Sequence, residues 1–194
     1  MAKNSIAGTH LLVIGGSAGS LDVLLQLLPS LHPRTALSII IVLHRKNDHD
    51  SLLSGLLAAK TSWALKDAED KEVMAPGSIY IAPADYHLLV ESDGTLSLDF
   101  SEKVNFSRPS IDVTFESAAY AFGRSLTALL LSGANADGVE GLQIVKQLGG
   151  RTAVQHPESA AVPFMPEQAL EHADIDYVLR VPEMAPFISG IVSQ

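Results

Sequence analysis

The sequence predicts an α/β fold of three layers, a doubly wound and mainly parallel sheet with helices on both faces and a small antiparallel hairpin annex. Three observations predict it. The apolar run Leu11–Ile14 stops at Gly15-Gly16 and restarts as Leu21, Leu24, Leu25 and Leu28, the spacing of one helix face. Leu37–Leu43 is rich in β-branched residues and nearly apolar on both faces, as a central strand of a parallel sheet reads. Late in the chain the same order returns: apolar Ser125–Leu131, a loop Ser132–Gly138 bearing glycine and asparagine, and a helical pattern Val139–Leu148 closed by Gly149-Gly150.

In chain order, His10–Ile14 is the first strand, and Pro29 and Pro33 end the helix that follows it. Leu37–Leu43 is the second strand, with His44 at its carboxyl end. After polar Arg45–Asp50, the spacing of Leu52, Leu53, Leu56 and Leu57 predicts a helix over Ser51–Thr61, capped by Asp50 or Ser51. The middle has a different texture. Trp63–Lys66 and Ser78–Ala82 read as short strands around the Pro76-Gly77 turn, and His87–Glu91 with Thr95–Asp99 reads as a hairpin across Ser92-Asp93-Gly94. These pieces together predict the annex. A helix is expected to start at Ser107–Pro109, with proline in its first turn, and to run to about Phe122. Beyond Gly150 come a strand at Arg151–Gln155, a helix at Pro166–Ala173, a strand at Tyr177–Leu179, and a closing helix over Val181–Val192 interrupted near Pro186. With no internal repeat, low-complexity tract or linker, residues 1–194 read as one domain.

Composition removes several function classes. A net charge of −9, with 13 Lys and Arg spread thinly, argues against a nucleic-acid partner, whose surface needs a basic stripe. The absence of cysteine rules out a disulfide framework, a thiolate nucleophile and a cysteine metal site, and suits a cytoplasmic location. The N-terminal ten residues lack the apolar core of a signal peptide, and no apolar run approaches about 18 residues, so neither export nor membrane insertion is expected. Apart from His44, the histidines (His10, His32, His49, His87, His156 and His172) show no ligand spacing, so neither a metal nor another cofactor is expected. Oligomeric state leaves no trace in the sequence.

The glycine corner admits three readings. Ser17 is a helix N-cap beside a tight turn, or part of a dinucleotide loop, or a nucleophile in the pattern Gly15-x-Ser17-x-Gly19. The glycines do not follow G-x-G-x-x-G, which weakens the second reading. The third needs a base and an orienting acid. Sites in open α/β sheets form outside the carboxyl ends of strands, and three residues leave there: Ser17, His44 and Asp137. A neutral imidazole takes the serine proton during attack, and a carboxylate behind the ring fixes its tautomer. Each has a plain alternative: His44 as a strand-end histidine, and Asp137-Gly138 as a turn and helix cap.

The words Val13-Ile14-Gly15-Gly16-Ser17-Ala18-Gly19, Val42-Leu43-His44, Pro76-Gly77-Ser78-Ile79-Tyr80-Ile81-Ala82-Pro83, Ser107-Arg108-Pro109-Ser110-Ile111-Asp112-Val113, Leu131-Ser132-Gly133-Ala134-Asn135-Ala136-Asp137-Gly138 and Met165-Pro166 occur in this order. Together they make nearly the whole chain resemble the catalytic domain of the bacterial chemotaxis protein-glutamate methylesterases, the CheB family. The resemblance implies a serine hydrolase with Ser17 as nucleophile, His44 as base and Asp137 as acid. It further implies hydrolysis of glutamate γ-methyl esters on the cytoplasmic domains of methyl-accepting chemoreceptors, with deamidation of receptor glutamines by the same acyl chemistry. The expected oxyanion donors are backbone N–H groups of Ala18, Gly133 and Ala134. Arg108 is a candidate for positioning substrate, with a structural cap or pair as its alternative.

Fuller members of the family carry an N-terminal receiver domain, whereas here the first strand begins within about ten residues of Met1; the chain is either a stand-alone esterase or an excised domain, and phosphorylation control is not argued from it. Ser20 replaces a glycine expected in the corner motif, and Ala134 a methionine found in some relatives. The alternatives are an esterase on a different carboxylate ester, since a triad defines the reaction better than the substrate, and an inactive receptor-binding module.

Overall fold

The structure, a computed structural model, describes residues 8–44 and 50–193. Its centre is β1 (His10–Gly16), hydrogen-bonded in parallel to β2 (Leu37–Leu43) on one side and to β8 (Leu126–Leu130) on the other. Side chains of β1 alternate between two apolar clusters: Leu11 and Val13 enter one, Leu12 and Ile14 the other. A strand buried on both faces has no polar side, which is why β1 and β2 read as continuous apolar runs.

The sheet has seven strands in the order β10-β9-β8-β1-β2-β5-β3, all parallel. The remaining members are β3 (Ala64–Asp67), β5 (Ser78–Ile81), β9 (Arg151–Gln155) and β10 (Tyr177–Leu179). Helices α3 (Ile111–Phe122), α4 (Val139–Gln147) and α5 (Phe164–His172) supply the cluster on one face. On the other face are α1 (Ser20–Leu27) and α6 (Val181–Gly190), joined by Leu57 of α2 (Asp50–Ala58). The expected three-layer, doubly wound fold is what the chain adopts.

The annex differs from expectation. It is a three-stranded antiparallel sheet, β4-β7-β6, made of β4 (Glu72–Val73), β7 (Thr95–Asp99) and β6 (His87–Val90). The short strands β3 and β5 instead extend the main sheet. Ile79, Tyr80 and Ile81 are all buried, and the tyrosine hydroxyl accepts the Ala75 N–H at 2.9 Å, so an apparently alternating run is an interior strand. The annex covers the outer side of α3: Thr114 donates its hydroxyl to the Leu88 carbonyl, and Ser117 accepts the Val90 N–H.

Two helix boundaries also shift. Helix α3 begins at Ile111 behind the N-cap Ser110, so Pro109 precedes the helix rather than entering its first turn. Helix α6 runs through Pro186 because that residue lies on the exposed side, where the carbonyl it leaves unpaired meets water. The segment 45–49 lies outside what is described, as do the side chains of Asp50 and Ser51 at the start of α2, on which the expected cap falls.

The topology positions the site. Gly16 is level with Leu43, and Gly15 with Leu130, so the chain leaves three adjacent central strands at one edge. Strand order reverses about β1, and the crevice at such a reversal is where ligands bind in open α/β sheets. Replacing fully buried Leu129 with alanine is expected to lower unfolding free energy by about 2–5 kcal/mol in chemical denaturation, through lost burial and the cavity left in the cluster between the sheet and the α1–α6 layer.

Candidate active site

One residue past the end of β1, Ser17 donates its N–H to the Ser132 carbonyl at 2.9 Å. On the other side His44 donates its N–H to the Gly16 carbonyl at 3.1 Å, so register alone brings Ser17 level with His44. Ser17 is not the cap of α1. That position belongs to Gly19, in the left-handed region at φ 83°, with no side-chain cap. The half-buried Ser17 hydroxyl has no hydrogen-bond partner among the described residues. A side chain at Gly19 would also strike Ala161 and Ser132, so the glycine is needed for close approach as well as for its φ. Ser20, where a glycine was expected, is fully buried and donates its hydroxyl to the Ser132 carbonyl at 2.7 Å, tying the corner to the loop after β8.

Asp137 is completely buried, and His44 Nε2 lies 2.6 Å from its Oδ2. The same oxygen accepts the Ile111 N–H at 2.7 Å. Oδ1 accepts the Ser110 hydroxyl at 2.8 Å, the Asp112 N–H at 3.1 Å and the Asn105 side-chain amide at 3.3 Å. Asp137 therefore does not cap the helix that follows it; its carboxylate sits on the N-terminus of α3, where unpaired backbone N–H groups and the helix dipole favour an anion. Burial alone pushes this carboxyl up, but the His44 hydrogen bond, the Ile111 N–H, the histidine charge and the Ser110 hydroxyl outweigh it and hold it below the usual carboxylate range.

Because Asp137 accepts from Nε2–H, Nδ1 is left as the acceptor nitrogen. The ring is thus turned the other way from the commonest triad, in which Nδ1 faces the carboxylate. Nδ1 has the Ser107 hydroxyl 3.4 Å away, a long and weak contact.

The oxyanion expectation divides. Gly133 donates its N–H to the Val162 carbonyl at 3.1 Å, so it is not a free oxyanion donor. Its role is clearance: a Cβ there would meet the Met165 side chain at 2.5 Å and the Ser17 Cβ at 3.1 Å. The N–H groups of Ala18 and Ala134, both exposed, donate to no acceptor among the described residues. Arg108 turns toward the annex. Its guanidinium stacks 3.9 Å over the Phe100 ring and donates to the carbonyls of Phe100 and Ser101, the arrangement of a structural tie.

Several neighbours escaped sequence reasoning. His87, one of the unassigned histidines, is buried and accepts the Ser110 N–H on Nδ1 at 3.1 Å, while Nε2 donates to the Glu102 carbonyl. Asp112 is 7% exposed. Burial pushes its carboxyl up to about 7, offset in part by the Gly141 N–H and reinforced by the charge of Asp137. A serine before a helix start facing a loop aspartate is the available signal for the Ser110 contact; Asp112 reads only as an ordinary first-turn acid. Among the described residues no group of three or more His, Asp or Glu converges as metal ligands do.

A parallel α/β sheet whose carboxyl edge holds a carboxylate-oriented imidazole and, level with it in strand register, a serine hydroxyl unengaged among the described residues fits a class, the hydrolases that work by acyl transfer. A family model described as CheB methylesterase matches residues 12–188. The chain belongs to the CheB methylesterase family. It is 41% identical over 174 residues to a putative protein-glutamate methylesterase/protein-glutamine glutaminase of Leptospira interrogans, covering 90% of both chains. To a protein-glutamate methylesterase/protein-glutamine glutaminase of Halobacterium salinarum it is 35% identical over 185 residues, covering 93% of this chain and 53% of that protein, so it spans about half that relative's length. The crystal structure of the Thermotoga maritima CheB methylesterase catalytic domain matches with a TM-score of 0.88 at 31% identity, covering 95% of this chain and 98% of that one.

Asp137→Asn is expected to lower ester turnover by about 10⁴-fold, because an amide presents the wrong partner to Nε2–H and favours the wrong tautomer. Steady-state rates alongside a circular dichroism spectrum check this; near-normal turnover would assign the acid elsewhere.

Proposed function

We propose that this chain demethylates glutamate γ-methyl esters on the cytoplasmic domains of chemoreceptors, releasing methanol in the cytoplasm, and deamidates receptor glutamines by the same route. The observation that carries the reading is the 2.6 Å bond between His44 and Asp137 at the sheet edge where Ser17 stands with its hydroxyl unengaged, in a chain of this family.

Ser17 Oγ turns toward His44 Nδ1 and attacks the ester carbonyl as its proton passes to Nδ1. Asp137, held charged by the start of α3, stabilises the imidazolium and keeps the ring in line. Negative charge on the carbonyl oxygen is taken by the N–H groups of Ala18 and Ala134. The carbon–oxygen bond to the methoxy group breaks, and the proton on Nδ1 leaves with methanol. Water then attacks the glutamyl–Ser17 ester, giving a proton to Nδ1, and cleavage returns that proton to Ser17 Oγ and frees the glutamate carboxylate. With a glutamine substrate the leaving group is ammonia. No helix among the described residues is long and apolar enough to cross a membrane.

Incubation with membranes carrying radiomethylated receptors is expected to release labelled methanol, and Ser17→Ala to reduce release by about 10⁶-fold or to the detection limit. Absence of release by the wild type across several receptors would refute the substrate. Equal release by Ser17→Ala would refute the nucleophile.

A further inference from the structure

We propose that Asp112, linked through Asn105, is a positioning residue of the hydrolytic site: a second buried carboxyl group that fixes Asp137 from behind and adds its charge to the Asp137–His44 pair. The inference rests on the reading of the site given above.

An acidic residue in the first turn of a helix ordinarily faces water and answers the dipole from there. Asp112 is turned inward instead, and both its oxygens are engaged: Oδ1 accepts the Gly141 N–H at 2.7 Å and Oδ2 accepts the Asn105 amide at 2.7 Å. The same Asn105 nitrogen lies 3.3 Å from Asp137 Oδ1, so one amide group bridges two carboxyl groups. Asn105 holds this position from a tight turn, at φ 50°, closed by the pairing of Val104 with Ser107, whose hydroxyl faces His44 Nδ1. The backbone N–H of Asp112 adds a further bond to Asp137. Asp112 thus contributes to the clamp with its main chain and, through Asn105, with its side chain.

Placing two carboxyl groups this close in the interior is unfavourable, and an asparagine at 112 would still accept the Gly141 N–H. The arrangement gains something only if the second charge is used. The groups facing Asp112 are Asp137 from the loop after β8, Glu140 from α4 and, beyond Asp137, His44. Asp112, Asn105 and Glu140 also line an open cleft of about 440 Å³ that reaches His172 of α5 and gives protons a path to the carboxyl group. Ionised, Asp112 favours the imidazolium that forms when Ser17 loses its proton. Protonated, it adds no charge to the pair. Its rise to about 7 places the change inside a pH range of 5 to 9, where turnover can be followed.

The test measures kcat and KM from pH 5 to 9 for wild type, Asp112→Asn and Asn105→Ala, on methylated receptor membranes and on 4-nitrophenyl acetate, with melting curves at each pH. Asp112→Asn is expected to lose about 10- to 100-fold in kcat above pH 7 with KM unchanged, to converge on wild type toward pH 5, and to show an acid limb with one proton fewer. A carboxyl raised in the folded state gives stability that is full below its unfolded value near 4 and lost as pH rises through about 7, so Asp112→Asn should melt at or above wild type at pH 8. An unchanged kcat and acid limb would overturn the proposal. So would loss of activity that tracks a lower melting temperature at every pH. Should Asp112→Asn fail to fold, the pH profile of Asn105→Ala decides: removing a donor to Asp112 is expected to move the acid limb to higher pH with KM unchanged, whereas an unmoved acid limb, with or without the pH-independent loss that Asn105's own bond to Asp137 would cause, overturns the proposal. Activity on 4-nitrophenyl acetate without activity on receptors would refute the substrate and leave Asp112 to be judged on the small ester; silence on both overturns the two together.

Discussion

The bond between a fully buried Asp137 and the start of α3 is the constraint on which the rest of this structure depends. A carboxylate without water is costly unless donors replace the lost hydration, and charge-assisted bonds contribute about 1.5–3 kcal/mol each when they do. Here the donors are His44 Nε2, the N–H groups of Ile111 and Asp112, the Ser110 hydroxyl and the Asn105 amide. Four of these five come from the 105–112 segment, so the acid keeps its donors only where the start of α3 is docked. The annex presses α3 from outside and the sheet from inside, and His87 of β6 anchors the Ser110 N–H directly. The acid is therefore supported through two shells of contacts, and the imidazole inherits its orientation from them.

The other half of the site follows from strand register. Parallel strands of matching register end together, so Ser17 and His44, 27 positions apart along the chain, come level at one edge, and His44 bonds Asp137, 93 positions further on, without any long loop having to fold over. The glycines then remove obstruction. Gly133 clears the Ser17 Cβ, and Gly15 clears Ile111, whose Cγ2 would lie 2.4 Å from an added Cβ. The corner is narrow because the first residue of α3, which holds the acid, packs directly under the strand that presents the serine.

Much of this was legible before any coordinates. Both-face apolar runs declared the parallel sheet, and the glycine corner, strand-end histidine and loop aspartate pointed to one edge. What could not be read was contact between segments whose relative placement depends on docking. Asp112 looks like a surface acid until α4 and the Asn105 turn close over it, and His87 looks scattered until Ser110 arrives. Pro109 suggested a helix start because proline suits a first turn, but the serine after it is the better cap. The short alternating run Ser78–Ala82 reads as part of the annex, but the Tyr80 hydroxyl finds the Ala75 N–H indoors and the strand joins the main sheet. Gly133 suggested a free N–H, and only the fold shows Val162 already accepting it.

The annex hairpin has two ends of different character. At one, His87 touches the cap of α3; at the other, beyond Val90, the chain turns at Glu91–Gly94 and comes back as β7. At about 3.3 Å per residue the turn lies more than 10 Å along the strand from the histidine. That makes Asp93-Gly94 a natural place for a fluorophore or a short peptide graft, a reporter carried by the same rigid piece that steadies the acid yet standing clear of it.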